Sequence, residues 1–196
     1  MSIKKIILLL CIVFFTVQAE AQNDVERFYL KSQKNSNTGM YVLGSWALLN
    51  IATGAYGMTN QTGSSKYFYQ MNLFWNTVNL GIAGYALVSA HLNDPALLSP
   101  QQMVDKHMTL EKVLLINAGL DVLYLASGAF MISKSKSSTK RPDLLKGYGQ
   151  SLLLQGGFLF VFDLVLYAVQ HQLASRLLEN AAFSISPQSF QFAIRF

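Results

Sequence analysis

Two acidic side chains lie inside long apolar stretches of this sequence, and their chemistry is the first feature to explain. Asp121 and Asp163 each sit in a segment that is otherwise almost entirely uncharged. An ionised carboxylate deep in a bilayer costs roughly 2.5–3.5 kcal/mol or more, and no Lys or Arg lies close to either acid within its segment. We therefore expect the acids either to be protonated and donate hydrogen bonds, or to border water and ionise. Two acids at similar depth could also share one proton.

Amides and tyrosines accompany the acids along the same segments. Positions four and seven apart lie on one side of a helix, so these polar residues form one stripe per segment. The candidate polar centre consists of Asn50, Asn76, Asn79, Asn117, Asp121, Tyr124, Asp163 and Tyr167. Because hydrocarbon offers no hydrogen-bond partner, such groups must face one another or a cavity. Our main interpretation is structural contact between helices, and the alternatives are proton or cation handling and ligand binding.

Four apolar segments must position these residues. They cover residues 38–58, 70–91, 110–132 and 147–170, and each is long enough to cross a bilayer as a helix. The chain is 52% hydrophobic and only 13% charged, about half the charged share of a soluble domain. The sequence predicts an all-α fold, a membrane-embedded four-helix bundle over residues 22–171.

The first and third segments contain similar motifs. Residues 51–56 (Ile-Ala-Thr-Gly-Ala-Tyr) resemble residues 125–130 (Leu-Ala-Ser-Gly-Ala-Phe). Two helical hairpins of similar plan would explain this likeness as a parallel internal repeat.

The N-terminus has the parts of a secretion signal. Two lysines precede a short apolar core at residues 6–17, and Ala-Glu-Ala at residues 19–21 matches a cleavage pattern. We predict a cleaved signal peptide over residues 1–21, with an uncleaved fifth span as the alternative. Cys11 is the only cysteine, so the mature chain would carry no thiol.

The charged residues between the segments predict the orientation in the membrane. Residues 133–146 carry five Lys or Arg side chains and one Asp, and such cationic loops resist translocation. This loop should be cytoplasmic, which agrees with a cleaved signal that leaves the mature N-terminus outside. We predict a multi-pass protein of the cytoplasmic (inner) membrane with both mature termini outside.

The last part of the chain follows a different pattern. Residues 172–196 include two stretches that alternate apolar and polar side chains on either side of Pro187. A period of two is typical of strands, so we predict a short external β-like tail.

Candidate ligands for metals or cofactors are few. His91, His107 and His171 all fall on the predicted external side and are weak candidates for zinc or copper. They lack ligand spacing, so we expect no metal. No phosphate loop, nucleophile elbow or zinc-protease motif occurs, so we expect no cofactor, and an enzyme is the least favoured class.

Several short motifs carry a resemblance to a known group. They are Gly44-Ser45-Trp46 with Asn50, Met71-Asn72 with Phe74-Trp75-Asn76, Asn79-Leu80-Gly81, Asn117-x-Gly119-Leu120-Asp121, and Gln155-Gly156 with Asp163. In these residues the chain resembles a group of uncharacterised small four-span membrane proteins of Bacteroidota. The resemblance implies a family of unknown function and supplies no mechanism.

The leading functional hypothesis is a non-enzymatic integral membrane protein that binds or scaffolds a partner through a bundle with a polar Asn/Asp core. The alternative is a small proton- or cation-coupled transporter or channel that uses Asp121 and Asp163. The expected partner is the lipid bilayer, and both a protein partner and a homo-oligomer remain open. The net charge of +5 does not predict nucleic-acid binding, because the basic residues lie between the segments rather than along one face.

Overall fold

The computed structural model describes the backbone of residues 3–184 and the side chains of residues 24–177. Four α-helices follow one another: α1 (Ile3–Asn60), α2 (Gly63–Leu92), α3 (Pro100–Ser135) and α4 (Pro142–Ser184). A single 3-10 turn, Pro95–Leu97, lies between α2 and α3, and residues 3–184 contain no strand. The all-α prediction is confirmed, and each helix contains one of the four predicted apolar segments.

The local sequence explains where α2 and α3 begin. α3 starts with a capping box, in which the Ser99 hydroxyl accepts from the Gln102 backbone N–H and the Gln102 side chain accepts from the Ser99 backbone N–H. These bonds pair donors that the first helical turn leaves free. The chain enters α2 through Gly63, whose φ of 57° favours glycine.

Two helices run further than the sequence predicts. α1 begins at Ile3 and passes without interruption through the predicted signal and the first apolar segment, while cleavage after Ala21 remains a prediction. α4 continues to Ser184, so the predicted β-like tail is wrong for residues 172–184. That stretch contains three Leu and three Ala, whose helix propensity outweighs the short alternating pattern. Residues 185–196, with the second predicted strand, lie outside the described residues.

The helices form two hairpins that pack on each other. α1 packs chiefly on α2, α3 packs chiefly on α4, and α2 and α4 join the hairpins. α2 and α3 are not among the closely packed pairs. The Tyr148 hydroxyl of α4 donates to Gln70 Oε1 of α2 over 3.2 Å, so both hairpin turns lie at one end. We call this the turn end, and the opposite end, with residues 93–99, the loop end.

Equivalent glycines bring the backbones together within each hairpin. A Cβ at Gly54 of α1 would lie 2.9 Å from the Tyr69 carbonyl and 3.0 Å from the Leu73 backbone nitrogen of α2. A Cβ at Gly128 of α3 would lie 2.8 Å from the Gly149 carbonyl and 3.1 Å from the Leu153 backbone nitrogen of α4. Both glycines belong to the repeated motif, so these matching contacts support the hypothesis of an internal duplication.

The distribution of polarity is the reverse of that in a soluble protein. The largest fully buried side chains are Gln155, Gln170, Asn76 and Ser151. Large apolar side chains are exposed on every helix, as in Leu49, Val78, Ile116 and Val161, which are each at least 60% exposed. A soluble fold normally buries large apolar side chains and exposes amide and hydroxyl side chains.

Two of the described helices are long and apolar enough to cross a membrane, judged by length and composition. These are α3 and, in α4, residues Pro142–Leu177. The amides and hydroxyls of the bundle interior lie densely on α2, in which Asn72, Asn76 and Asn79 are buried. Such residues lower the mean hydropathy of a helix even when its outer face is apolar.

Candidate polar centre between the helices

Gln155 of α4 is the hub of a hydrogen-bond network that joins three helices. Its Nε2 donates to Asn50 Oδ1 of α1 and to Asn72 Oδ1 of α2, each over 3.1 Å. Its Oε1 accepts from Trp46 Nε1 of α1 over 2.9 Å. The Ser151 hydroxyl, one turn earlier on α4, also donates to Asn72 Oδ1. The Gln155 side chain is fully buried and both ends of its amide are paired.

This Gln155 network holds the helices in one register. Interhelical hydrogen bonds in membranes contribute only about 0.6 kcal/mol each on average. Leaving a buried amide without a partner costs more, about 1–3 kcal/mol. The network therefore stabilises modestly and strongly disfavours helix rotations that would break it. Because both ends of the Gln155 amide are already paired, the network is suited to a structural role rather than to ligand binding.

A cavity of about 390 Å³ lies nearer the loop end, between α2 and α3. α1 and α4 contribute the remaining wall, which includes Met40 and Asp163. Five residues of the predicted polar centre line this cavity, namely Asn79, Asn117, Asp121, Tyr124 and Asp163. The cavity exists because α2 and α3 face each other across it without close packing.

Asp121 and Asp163 meet at the wall of this cavity. Asp121 is 2% exposed and Asp163 is 5% exposed, and the two carboxyl groups lie close enough to influence each other. A hydrogen bond between them would need a proton on one of the two groups, because a carboxylate has no proton to donate. Neither acid forms an ion pair with any described residue. Any negative charge on the pair therefore has no basic partner among the described residues.

Two buried polar atoms at the cavity have no hydrogen-bond partner. They are Asp121 Oδ2 and Trp75 Nε1, and both residues line the cavity. The Trp75 ring is fixed edge-on against Tyr124, with ring centroids 4.7 Å apart. Buried polar atoms are nearly always paired, with protein or with bound molecules. A small polar molecule such as water could pair with both atoms, whereas a cation could pair with Asp121 Oδ2 but not with the Trp75 N–H.

A second polar cluster lies at the loop end and joins α1, α3 and α4. Glu111 Oε1 is 3.6 Å from His107 Nε2 and 3.3 Å from His171 Nδ1. On its other side, the His107 ring is 2.8 Å from the Ser32 hydroxyl through Nδ1. Gln170 Nε2 donates to the Ser32 carbonyl over 3.0 Å. This cluster anchors the N-terminal half of α1 to the rest of the bundle.

The predicted metal candidates do not come together as a set. His107 and His171 share Glu111, whereas His91 is exposed at the end of α2. Among the residues whose side chains are described, no group of three or more His, Cys, Asp and Glu is arranged to hold a metal ion.

The remaining predicted residues of the polar centre lie outside the cavity wall. Asn50 belongs to the Gln155 network, and Asn76, which is fully buried, donates to the Asn72 carbonyl within α2. Tyr167 stacks on His171 with ring centroids 5.4 Å apart, so it lies toward the loop end. The predicted centre is thus divided into a paired network, a cavity and one outlying tyrosine.

Sequence reasoning left several polar residues out of the candidate site. They are Ser32, Asn72, Glu111, Ser151, Gln155 and Gln170. Ser151 precedes Gln155 by four residues and Gln155 precedes Asp163 by eight, a helical spacing that places them on one face. That spacing was the available signal, and it was weaker than the signal from a charged side chain.

The family comparison covers most of the bundle. The model of a family described as "Family of unknown function (DUF6992)" matches residues 42–164. The chain belongs to the DUF6992 family. The matched region contains the Gln155 network and every cavity residue of α2, α3 and α4, and it ends before Gln170 and His171. The predicted family of unknown function is thereby confirmed, while the four-span plan and the range among Bacteroidota remain predictions.

Two other comparisons were negative. No curated protein and no solved structure matches this DUF6992 chain.

Proposed function

We propose that this DUF6992 protein is a non-enzymatic integral membrane protein whose polar centre binds a proton or a small cation at Asp121 and Asp163. The observation that carries the proposal is the meeting of the two acids on a cavity of about 390 Å³ without any basic partner among the described residues. The free Asp121 Oδ2 supplies an acceptor at that cavity.

The reversed polarity of the bundle supports a position in the membrane. Large apolar side chains cover the outside of all four helices, and soluble proteins rarely expose continuous apolar surfaces of this kind. In the described residues, 12 buried polar side chains accompany 11 buried apolar ones, and such buried polar groups are expected where lipid surrounds the helices. We extend the span assignment from α3 and α4 to all four helices, because α1 and α2 pack alongside them over the same length.

The charge at the acid pair supports a cationic ligand. Two contacting carboxyls in a site of low dielectric constant cannot both ionise without a large cost. A proton or a monovalent cation relieves this repulsion. Asn79 and Asn117 add amide oxygens to the same wall, and hard cations prefer oxygen ligands of this type.

Coupled transport is an extension of the same chemistry. A transporter needs a binding site that reaches each side of the membrane in turn. The two acids supply the binding site, and alternating access is a separate requirement. The predicted orientation places the turn end in the cytoplasm. Lys134, Lys136, Lys140 and Arg141 lie at that end beside the turn between α3 and α4.

The partner-binding or scaffolding role predicted from the sequence remains a prediction. The cavity lies in the gap between α2 and α3, with exposed residues such as Val78 and Ile82 in its lining. It holds about 390 Å³, a volume suited to an ion or a small molecule rather than to a protein segment. The polar centre therefore favours the alternative hypothesis that involves Asp121 and Asp163.

The test is the melting temperature of the purified full-length protein in lipid nanodiscs. A ligand that binds only the folded state raises this temperature as its concentration increases. We expect a rise when NaCl or KCl replaces choline chloride, or when the pH is lowered. Asp121→Asn and Asp163→Asn should abolish the rise, whereas Asp105→Asn, a control at an exposed acid on α3, should keep it. A wild-type protein that shows no rise, or a rise that both core variants retain, would refute the proposal.

A further inference from the structure

A second cavity opens at the loop end, above the one that holds the acids. Its volume is about 270 Å³, and α1, α2 and α3 line it. Several polar side chains belong to the lining, including Ser32, Gln33, Asn37, Asn93 and Lys106. We call this cavity the vestibule, because Asn93 and Lys106 are exposed at its mouth.

Apart from Lys106 at its mouth, the vestibule is lined by neutral hydrogen-bonding and apolar groups. Gln33 Nε2 donates to the Tyr29 hydroxyl over 3.1 Å. Burial raises the pKa of Tyr29, although the Gln33 bond opposes the shift, so the phenol stays neutral. The walls therefore suit water and solvated ions.

The vestibule and the acid cavity share part of their lining. Ser36 of α1, Ala86 of α2 and Leu110 of α3 line both cavities. Two of these three residues are apolar, and they pack against the buried cluster that contains Met40 and Leu114. The two cavities thus meet at a short, mostly apolar stretch of wall, and an apolar constriction at such a place can control the passage of water and ions by excluding water.

The turn-end side of the acid cavity is packed in a different way. The Gln155 network crosses the bundle there with its hub fully paired. Below it, Gly128 and Gly149 bring the backbones of α3 and α4 into direct contact, and Gly147 does the same for α4 and α2. Such close backbone contacts leave little room for a hydrated path.

We infer that Ser36, Ala86 and Leu110 form a gate through which water and small cations reach Asp121 and Asp163 from the loop end alone. This inference rests on the proposed function and adds the direction of access to it. The loop end is the one predicted to be external. The acids would then exchange with the external solution, while the Gln155 network closes the other side.

Single-cysteine labelling tests the route directly, because Cys11 is the only native cysteine and Cys11→Ser removes it. Asn117→Cys places a thiol in the acid cavity, Asn37→Cys in the vestibule, and Ser151→Cys in the Gln155 network. The full chain, reconstituted in vesicles, is treated with a small cationic methanethiosulfonate reagent from either side. We expect Asn37→Cys and Asn117→Cys to react from the loop end only, and Ser151→Cys to react from neither side.

Two gate variants make the test specific. Leu110→Ala should accelerate labelling of Asn117→Cys several-fold, and Ala86→Leu should slow it several-fold. Both should leave labelling of Asn37→Cys unchanged, which controls for folding. Labelling of Asn117→Cys only by an uncharged, lipid-soluble maleimide would show entry between α2 and α3 from the bilayer and overturn the inference. Equal labelling of Asn117→Cys from both sides would overturn it as well.

The labelling outcome is independent of cation binding. If gated labelling occurs but the melting temperature does not respond to cations or pH, the route exists and the proposed function fails. If the melting temperature responds but the gate variants do not change labelling, the acids bind a cation that arrives by another path.

Discussion

Asp121 on α3 and Asp163 on α4 lie together at the wall of one cavity, with their carboxyl groups close enough to influence each other. They belong to the two helices that are apolar enough to cross a membrane by composition. If both acids ionised, only a proton or another cation could relieve their repulsion. The pair links packing to chemistry, since it lies at the α3–α4 interface and also determines the charge of the cavity.

The Gln155 network should be a main source of structural stability. Gln155→Ala removes three hydrogen bonds to α1 and α2. It leaves Asn50 Oδ1 and Trp46 Nε1 without a partner, while Asn72 Oδ1 keeps its bond from Ser151. We expect the free energy of unfolding in bicelles, measured by steric trapping, to fall by about 2–4 kcal/mol. Gln150→Ala is the matched control, because Gln150 is exposed on the same helix. Equal losses in the two variants would mean that the network contributes nothing measurable.

The two tryptophans should respond differently to loss of the indole N–H. Trp46 donates to Gln155, whereas Trp75 Nε1 has no partner. Trp46→Phe should therefore destabilise the fold more than Trp75→Phe, by about 1 kcal/mol, in the same unfolding measurement. Both substitutions keep an aromatic ring against Phe158 and Tyr124, respectively. The reverse order would show that Trp75 has a structural partner after all.

The close approach of α3 and α4 should tolerate no side chain at Gly128. Gly128→Ala would put a methyl group 2.8 Å from the Gly149 carbonyl oxygen, and relieving that overlap should cost about 1–3 kcal/mol. Gly119→Ala, on the same helix, meets nothing within 4 Å and should be neutral or slightly stabilising, because alanine favours a helix over glycine. A thermal unfolding series in one detergent compares the two, and similar melting temperatures would contradict the close packing.

Much of the architecture could be predicted because the polar side chains are few and evenly spaced. Asn76, Asn79 and Asp121 stand out in apolar surroundings, and their helical spacing gives both the element type and its inward face. Helix length was harder to predict, since nothing in the pattern around Gln172 ends α4. The strand prediction for the tail relied on a few alternating residues, and the helix formers before Ser184 outweighed them.

The pairing between helices could not be obtained from spacing. Spacing within one helix shows that Gln155 faces inward, but its partners Asn50 and Asn72 depend on how three helices dock. The same holds for Glu111, which lies between His107 and His171. The cavity was also beyond sequence reasoning, because it results from the gap between α2 and α3 rather than from any residue type.

The most direct test of the account is the infrared absorption of the carboxyl groups of Asp121 and Asp163 in lipid. Difference spectra would be recorded between about pH 5 and about pH 9, the range in which a solvent-linked carboxyl pair of this kind should exchange its proton, and again on adding Na⁺ or K⁺. We predict a protonated-carboxyl band that decreases as the pH rises or as the cation is added. Asp121→Asn or Asp163→Asn should remove or shift this band. A band that stays constant under all these conditions would mean a sealed structural pair and would contradict a cation-binding centre.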